Sequence, residues 1–137
     1  MNWKRFWLTF LAVFVLYMIL DMILHLGLLG GIYDDLAHLW RPDAEMQKLY
    51  PLMWLGTLVF TFMFVFLFAK GYEGRGLGEG ARFGFYIGLL LGVPMALGSY
   101  AMYPLPFTLA MYWLIGGLVE MILAGILASM IYRPKVA

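Results

Sequence analysis

The sequence predicts an all-α protein, a polytopic membrane four-helix bundle with both termini cytoplasmic. Three observations predict it. Hydrophobic residues make up 64% of the 137-residue chain and charged residues only 12%, about half the charge of an average soluble domain. A chain this short cannot hide so much apolar surface inside one water-facing fold. The apolar residues fall into four blocks, over 6–29, 49–69, 81–102 and 107–131, each long enough as a helix to cross a hydrocarbon core of ~30 Å. The basic residues divide unevenly. Lys4, Arg5, Lys70, Arg75, Arg82, Arg133 and Lys135 lie at one end of the spans, Arg41 and Lys48 at the other. The positive-inside rule puts the richer end, and both termini with it, in the cytoplasm. Residues 1–137 read as a single transmembrane domain.

The first span follows a basic start, "MNWKR". Its apolar run is longer than a signal-peptide core, contains an acid and lacks a small-x-small cleavage site, so a retained span is expected. Its second half reads "YMILDMILHLG", residues 17–27. Tyr17, Asp21 and His25 there recur every fourth residue and share one helical face. The outer loop, 30–48, carries Asp34, Asp35, Asp43 and Glu45 against its two basic residues. "RPDAEM" within it has Pro and early acids suited to the start of a short helix.

The second span contains "LVFTFMFVFLF", strand-like by propensity, but lipid requires the backbone to satisfy its own hydrogen bonds and so imposes a helix. A glycine-rich link, "KGYEGRGLGEG", leads to the third span. There Gly80, Gly84, Gly88 and Gly92 recur every fourth residue and Ala96 continues the row. Small residues at that spacing let a second backbone approach, within the chain or across an oligomer. Pro94 is expected to kink this span. "YPLP", 103–106, makes a tight turn, because each Pro disfavours helix in the residue before it. The fourth span sets Glu120 in a stripe of small residues with Gly116, Ala124 and Ala128. Trp3, Trp7, Trp40, Trp54 and Tyr103 suit interfacial anchoring.

The buried polar candidate site is therefore Tyr17, Asp21, His25 and Glu120. A charged side chain at a helix centre costs roughly 2.5–3.5 kcal/mol on insertion scales, and acids within spans mark functional sites by default. No Lys or Arg lies at the depth of Asp21 or Glu120. The two acids share a local phrase, "LDMIL" and "VEMIL", and each precedes a tyrosine by twelve residues, Tyr33 and Tyr132. Three roles compete for this set: carrying a proton or cation, binding a haem, quinone or metal, and hydrogen-bonding between helices. Metal candidates are Asp21 and His25 with His38 from the loop; His25 or His38 could serve a haem. No cofactor is indicated by any motif. Glu73, Arg75, Glu79 and Arg82 read as surface ion pairs and headgroup contacts.

The chain has no cysteine, which excludes disulfides, iron–sulfur centres and thiol nucleophiles. A net charge of +1 with no dense basic patch gives no reason to expect nucleic-acid binding. It has no Gly-x-Ser-x-Gly elbow, His-Glu-x-x-His or phosphate loop, so an enzyme is the hardest case to support. The phrases "LDMIL…GGIY", "WRPDAEM", "KGYEGRGLGEGARFGFYIGLLLG" and "GLVEMILAGILA" resemble small uncharacterised bacterial inner-membrane proteins with four spans. That resemblance implies a bacterial inner-membrane location and carries no substrate. The reading that needs fewest assumptions is a structural or accessory subunit among membrane lipids, as a homo-oligomer or in a larger complex. Proton- or cation-coupled transport is the runner-up.

Overall fold

The computed structural model describes residues 1–134, so Lys135, counted above at the basic end, lies outside the described residues. The fold is all-α. Helix α1 runs Trp3–Met22 and continues as a π-helical segment, Ile23–Leu28; a short helix α2, Gly30–Asp35, and a 3-10 turn, Ala37–Leu39, follow. Three long helices complete the chain: α3 Asp43–Lys70, α4 Leu77–Met102 and α5 Phe107–Ile131. The stretches Trp3–Leu28, α3, α4 and α5 are four helices each long and apolar enough to cross a membrane, as expected of a multi-pass membrane protein.

Helix starts follow local chemistry. Asn2 caps α1, its side chain accepting from the Arg5 N–H at 3.3 Å. Pro42 precedes α3, and Asp43 and Glu45 occupy its first turn, where acids meet the positive end of the helix dipole. "RPDAEM" is thus not a separate short helix. It opens α3, because nothing between Glu45 and the apolar run at Leu49 breaks the helix, and the loop is correspondingly shorter than 30–48. Pro51 and Pro94 both sit inside continuous helices.

The tightest pairing is α4 with α5. A Cβ added at Gly80 would strike the Gly125 carbonyl oxygen, one at Gly84 the Met121 carbonyl, and one at Gly88 the Leu118 side chain. Gly92 meets Leu114 in the same row. The four-residue glycine repeat therefore forms a backbone-to-backbone seam within the chain. Gly125 is its counterpart on α5. Gly116 looks elsewhere: a Cβ there would press on Leu24 of the first span. Helix α5 thus carries two small-residue faces, one for α4 and one, with Gly116, Glu120, Ala124 and Ala128, for α1.

The two ends of the bundle differ. At the basic end the core is dry and aromatic. Phe6, Val13, Phe64, Val65, Phe68, Ala124, Ala128 and Tyr132 are buried together, and Phe83 of α4 closes on Phe64 and Phe68 with ring centroids 5.0 and 5.4 Å apart. Thr9, Thr61 and Ser129 in this region return their hydroxyl protons to carbonyls of their own helices, so no polar group is stranded by them. At the loop end a smaller core forms from Leu29, Leu105 and Leu109 with the loop residues packed on it. Helix α3 contributes nothing to that second core. Leu52, Met53, Trp54 and Leu55 are all exposed, and four consecutive residues point to every side of a helix. Over residues 52–55 α3 therefore stands clear of its neighbours, while Met46 in its first turns lines a cavity with Trp40 and Trp113.

Candidate functional site

Asp21 and His25 sit where α1 changes winding. Past Met22 the helix loosens to a π segment, and the Leu29 N–H bonds the Leu24 carbonyl five residues back at 2.9 Å. Such insertions are frequent at functional sites. Across this widened turn His25 Nε2 lies 3.5 Å from Asp21 Oδ1. The other ring nitrogen, Nδ1, lies 2.5 Å from the Tyr33 hydroxyl, and the two rings stack with planes 10° apart. The Trp113 indole N–H of α5 donates to the same hydroxyl oxygen at 2.7 Å.

An indole N–H can only donate, so the Tyr33 oxygen accepts from Trp113. The Tyr33–His25 contact runs either way with the imidazole tautomer: Tyr33 donates when Nδ1 is bare and accepts when Nδ1 carries the proton. Trp113, Tyr33, His25 and Asp21 form one chain of polar contacts from the loop end into the first span. Burial pushes the Tyr33 hydroxyl above its ordinary range; the Trp113 bond opposes that shift and the Asp21 charge adds to it. Tyr33 accordingly stays a neutral hydroxyl at physiological pH.

The Trp113 end of this chain of contacts reaches a cavity of about 340 Å³ under the loop, lined by Trp40, Arg41, Ser99 and Tyr103 among others. Glu120 lies within electrostatic reach of both Asp21 and Tyr17, one turn along α5 from Gly116, which packs on Leu24 of the first span. The Tyr17 ring also packs on Phe60 of α3, centroids 5.7 Å apart. Glu120 is 5% exposed, and its Oε1 has no hydrogen-bond partner among the described residues. Asp21 and His25 are far more open, with side chains 41% and 36% exposed, because α3 has diverged at this level.

Of Tyr17, Asp21, His25 and Glu120, Asp21 and His25 are in direct contact, and Tyr17 and Glu120 lie within electrostatic reach of Asp21. Comparison with known proteins adds no identity to this set. No family model matches the chain, and neither does any curated protein or solved structure.

Two members of the site were not legible as such. Tyr33 stood out only through its spacing from Asp21; its counterpart by that spacing, Tyr132, lies in the dry aromatic core. Trp113 carried no signal, since an indole in a span usually packs or anchors. His38 is exposed and does not join Asp21 and His25, and no group of three or more His, Asp or Glu side chains converges among the described residues. The three metal candidates read from sequence, Asp21, His25 and His38, therefore do not come together among the described residues.

Glu79 is a further correction. It is not a surface ion-pairing residue: it is buried at the start of α4 and its two carboxylate oxygens accept the backbone N–H groups of Glu73, at 2.6 Å, and Arg75, at 2.7 Å. Gly74 and Gly76, at φ +80° and +78°, turn the link so that those donors face inward, a conformation that favours glycine. Glu73 and Arg75 do form an exposed ion pair, at 2.8 Å.

Proposed function

We propose that this chain is a multi-pass membrane protein that takes up and releases a proton at Glu120, with Asp21, His25 and Tyr33 as the relay to the loop end. The observation that carries the proposal is the unpartnered Oε1 of the buried Glu120. Hydrogen bonding between helices would account for Tyr33 and Trp113. It leaves Glu120 unexplained, because a structural carboxyl in lipid would be paired. Toward the basic end the path is closed by the aromatic core, so the site communicates with one side in this conformation. Its positive-inside charge pattern favours a cytoplasmic basic end, which puts the relay in the outer half of the membrane; with the resemblance noted above, a bacterial inner membrane is the proposed location. This reading requires no chemical transformation and no cofactor.

Infrared difference spectroscopy between acid and alkaline pH tests it. A protonated-carboxyl band that shifts in heavy water and is missing from Glu120→Gln is the expected result. A band unchanged by that substitution overturns the reading. Proton flux into vesicles reconstituted with the protein then separates transport from a static site.

A second reading, assembly as a homo-oligomer or an accessory subunit, is favoured by the free stretch of α3 at residues 52–55. Trp54→Cys tests it cleanly in a chain without cysteines: cross-linking to a dimer in membranes supports self-assembly, and a monomer throughout, with no partner retained in mild detergent, counts against assembly.

A further inference from the structure

We propose that the cavity under the outer loop binds the headgroup of a zwitterionic phospholipid, its phosphate on Arg41 and its ammonium against the aromatic wall. The proposal is independent of proton exchange at Glu120.

Separate segments of the chain converge on this cavity. Trp40 and Arg41 come from the loop, Met46 from α3, Ser99 from α4, Tyr103 from the turn after it and Trp113 from α5. Its volume of about 340 Å³ falls within the range of small-ligand sites.

The wall selects the charge of the occupant. Arg41 is its one charged side chain among the described residues. Arg41 Nη1 stands 3.6 Å from Glu45 Oε2, and both side chains are mostly exposed. That separation is too long for a hydrogen bond, so the planar guanidinium keeps its N–H fork for a phosphate. A ligand of net negative charge suits the surroundings poorly, because Asp34, Asp35, Asp43 and Glu45 outnumber Arg41 and Lys48 in the outer loop. A ligand carrying both signs meets Arg41 with one and the acidic loop with the other. The rings favour the same occupant. Trp40 and Trp113 have centroids 6.5 Å apart and planes at 53°, Tyr103 adds a third ring to the wall, and aromatic faces attract an ammonium through their quadrupoles.

An independent observation points to a missing partner. The Trp113 N–H is given to Tyr33, but the Trp40 N–H is covered and has no acceptor among the described residues. A covered donor without an acceptor is uncommon in folded proteins and calls for a bound group. A phospholipid brings phosphate and ester oxygens, all acceptors, to the wall that Trp40 helps to form.

The position selects a lipid over a free solute of the same chemistry. The cavity lies at the ends of spanning helices, the level of lipid headgroups. Met102, next to Tyr103, is 77% exposed, and the exposed residues Leu52, Met53, Trp54 and Leu55 follow Met46 by about two helical turns. Acyl chains leaving the cavity find apolar surface on both sides.

Native mass spectrometry of the full chain in mild detergent tests the proposal, with equal amounts of phosphatidylethanolamine, phosphatidylglycerol and free phosphoethanolamine supplied together. The expected result is one phosphatidylethanolamine retained per chain, in preference to both competitors. Arg41→Gln should weaken that retention about tenfold, while Lys48→Gln, outside the wall, should leave it unchanged; circular dichroism and gel filtration confirm that both variants keep the fold. Equal or preferred retention of phosphatidylglycerol overturns the zwitterionic assignment, and displacement by phosphoethanolamine overturns the lipid source. No retained lipid, retention unchanged in Arg41→Gln, or an equal loss in Lys48→Gln overturns the site.

Discussion

Tyr33 and Trp113, eighty residues apart in the chain, are joined by a 2.7 Å hydrogen bond that ties the loop-end segment to α5. The same Tyr33 oxygen faces His25, so this bond both anchors the loop and orients the relay. Trp113→Phe keeps the ring and removes the donor. Net hydrogen bonds of this kind contribute about 1 kcal/mol. Hydrogen exchange should accelerate over residues 29–40 by several-fold while the α4–α5 seam is unaffected. Unchanged exchange there would show that the apolar contacts of Leu29, Leu105 and Leu109 hold the loop without it.

Glycine substitutions should separate the seam from the rest of α4. At Gly80 an added Cβ meets backbone, which cannot move aside as a side chain can, whereas at Gly78 it meets open space. Gly80→Ala should destabilise by about 1–3 kcal/mol or more, and Gly78→Ala should be neutral or slightly stabilising, since Ala favours helix over Gly by roughly 1 kcal/mol. Thermal unfolding in detergent reads the difference; equal effects would contradict the seam.

The Glu79 carboxylate should govern the order of the 71–76 link. Charge-assisted hydrogen bonds are worth about 1.5–3 kcal/mol each, and Glu79→Ala leaves the N–H groups of Glu73 and Arg75 without acceptor. Trypsin should then cut after Arg75 much faster than in the native chain. Cleavage at the native rate would mean that Gly74 and Gly76 shape the link unaided.

Stability and proton exchange should part company at Glu120. Replacing it by Gln retains shape and removes the titratable group. Thermal stability should hold within about 1 kcal/mol, while the exchanging carboxyl band disappears. A loss of several kcal/mol would instead identify Glu120 as a structural bond in the α1–α5 interface.

How much of this was legible in the sequence follows from what each feature depends on. Hydropathy and length determine the four helices, because an apolar run of that length has few other solutions. The glycine spacing on α4 determines a close-approach face, because four-residue periodicity is a property of one helix alone. Asp21, His25 and Glu120 were visible because acids and imidazoles in apolar runs are costly wherever the helices go. Three things required the tertiary structure. Which surface fills the glycine groove depends on Gly125, ordinary until α5 is laid against α4. Whether Glu79 is exposed depends on how the link folds back, and its sequence neighbourhood of charges suggested the opposite. The relay needs Tyr33 and Trp113, brought together across the chain by packing that no local pattern encodes. The sequence by itself thus determined the solvent, the spans and the unusual residues, which are one-helix properties. The tertiary structure decided which of those residues meet and which face stays open, because contact and access depend on the other helices.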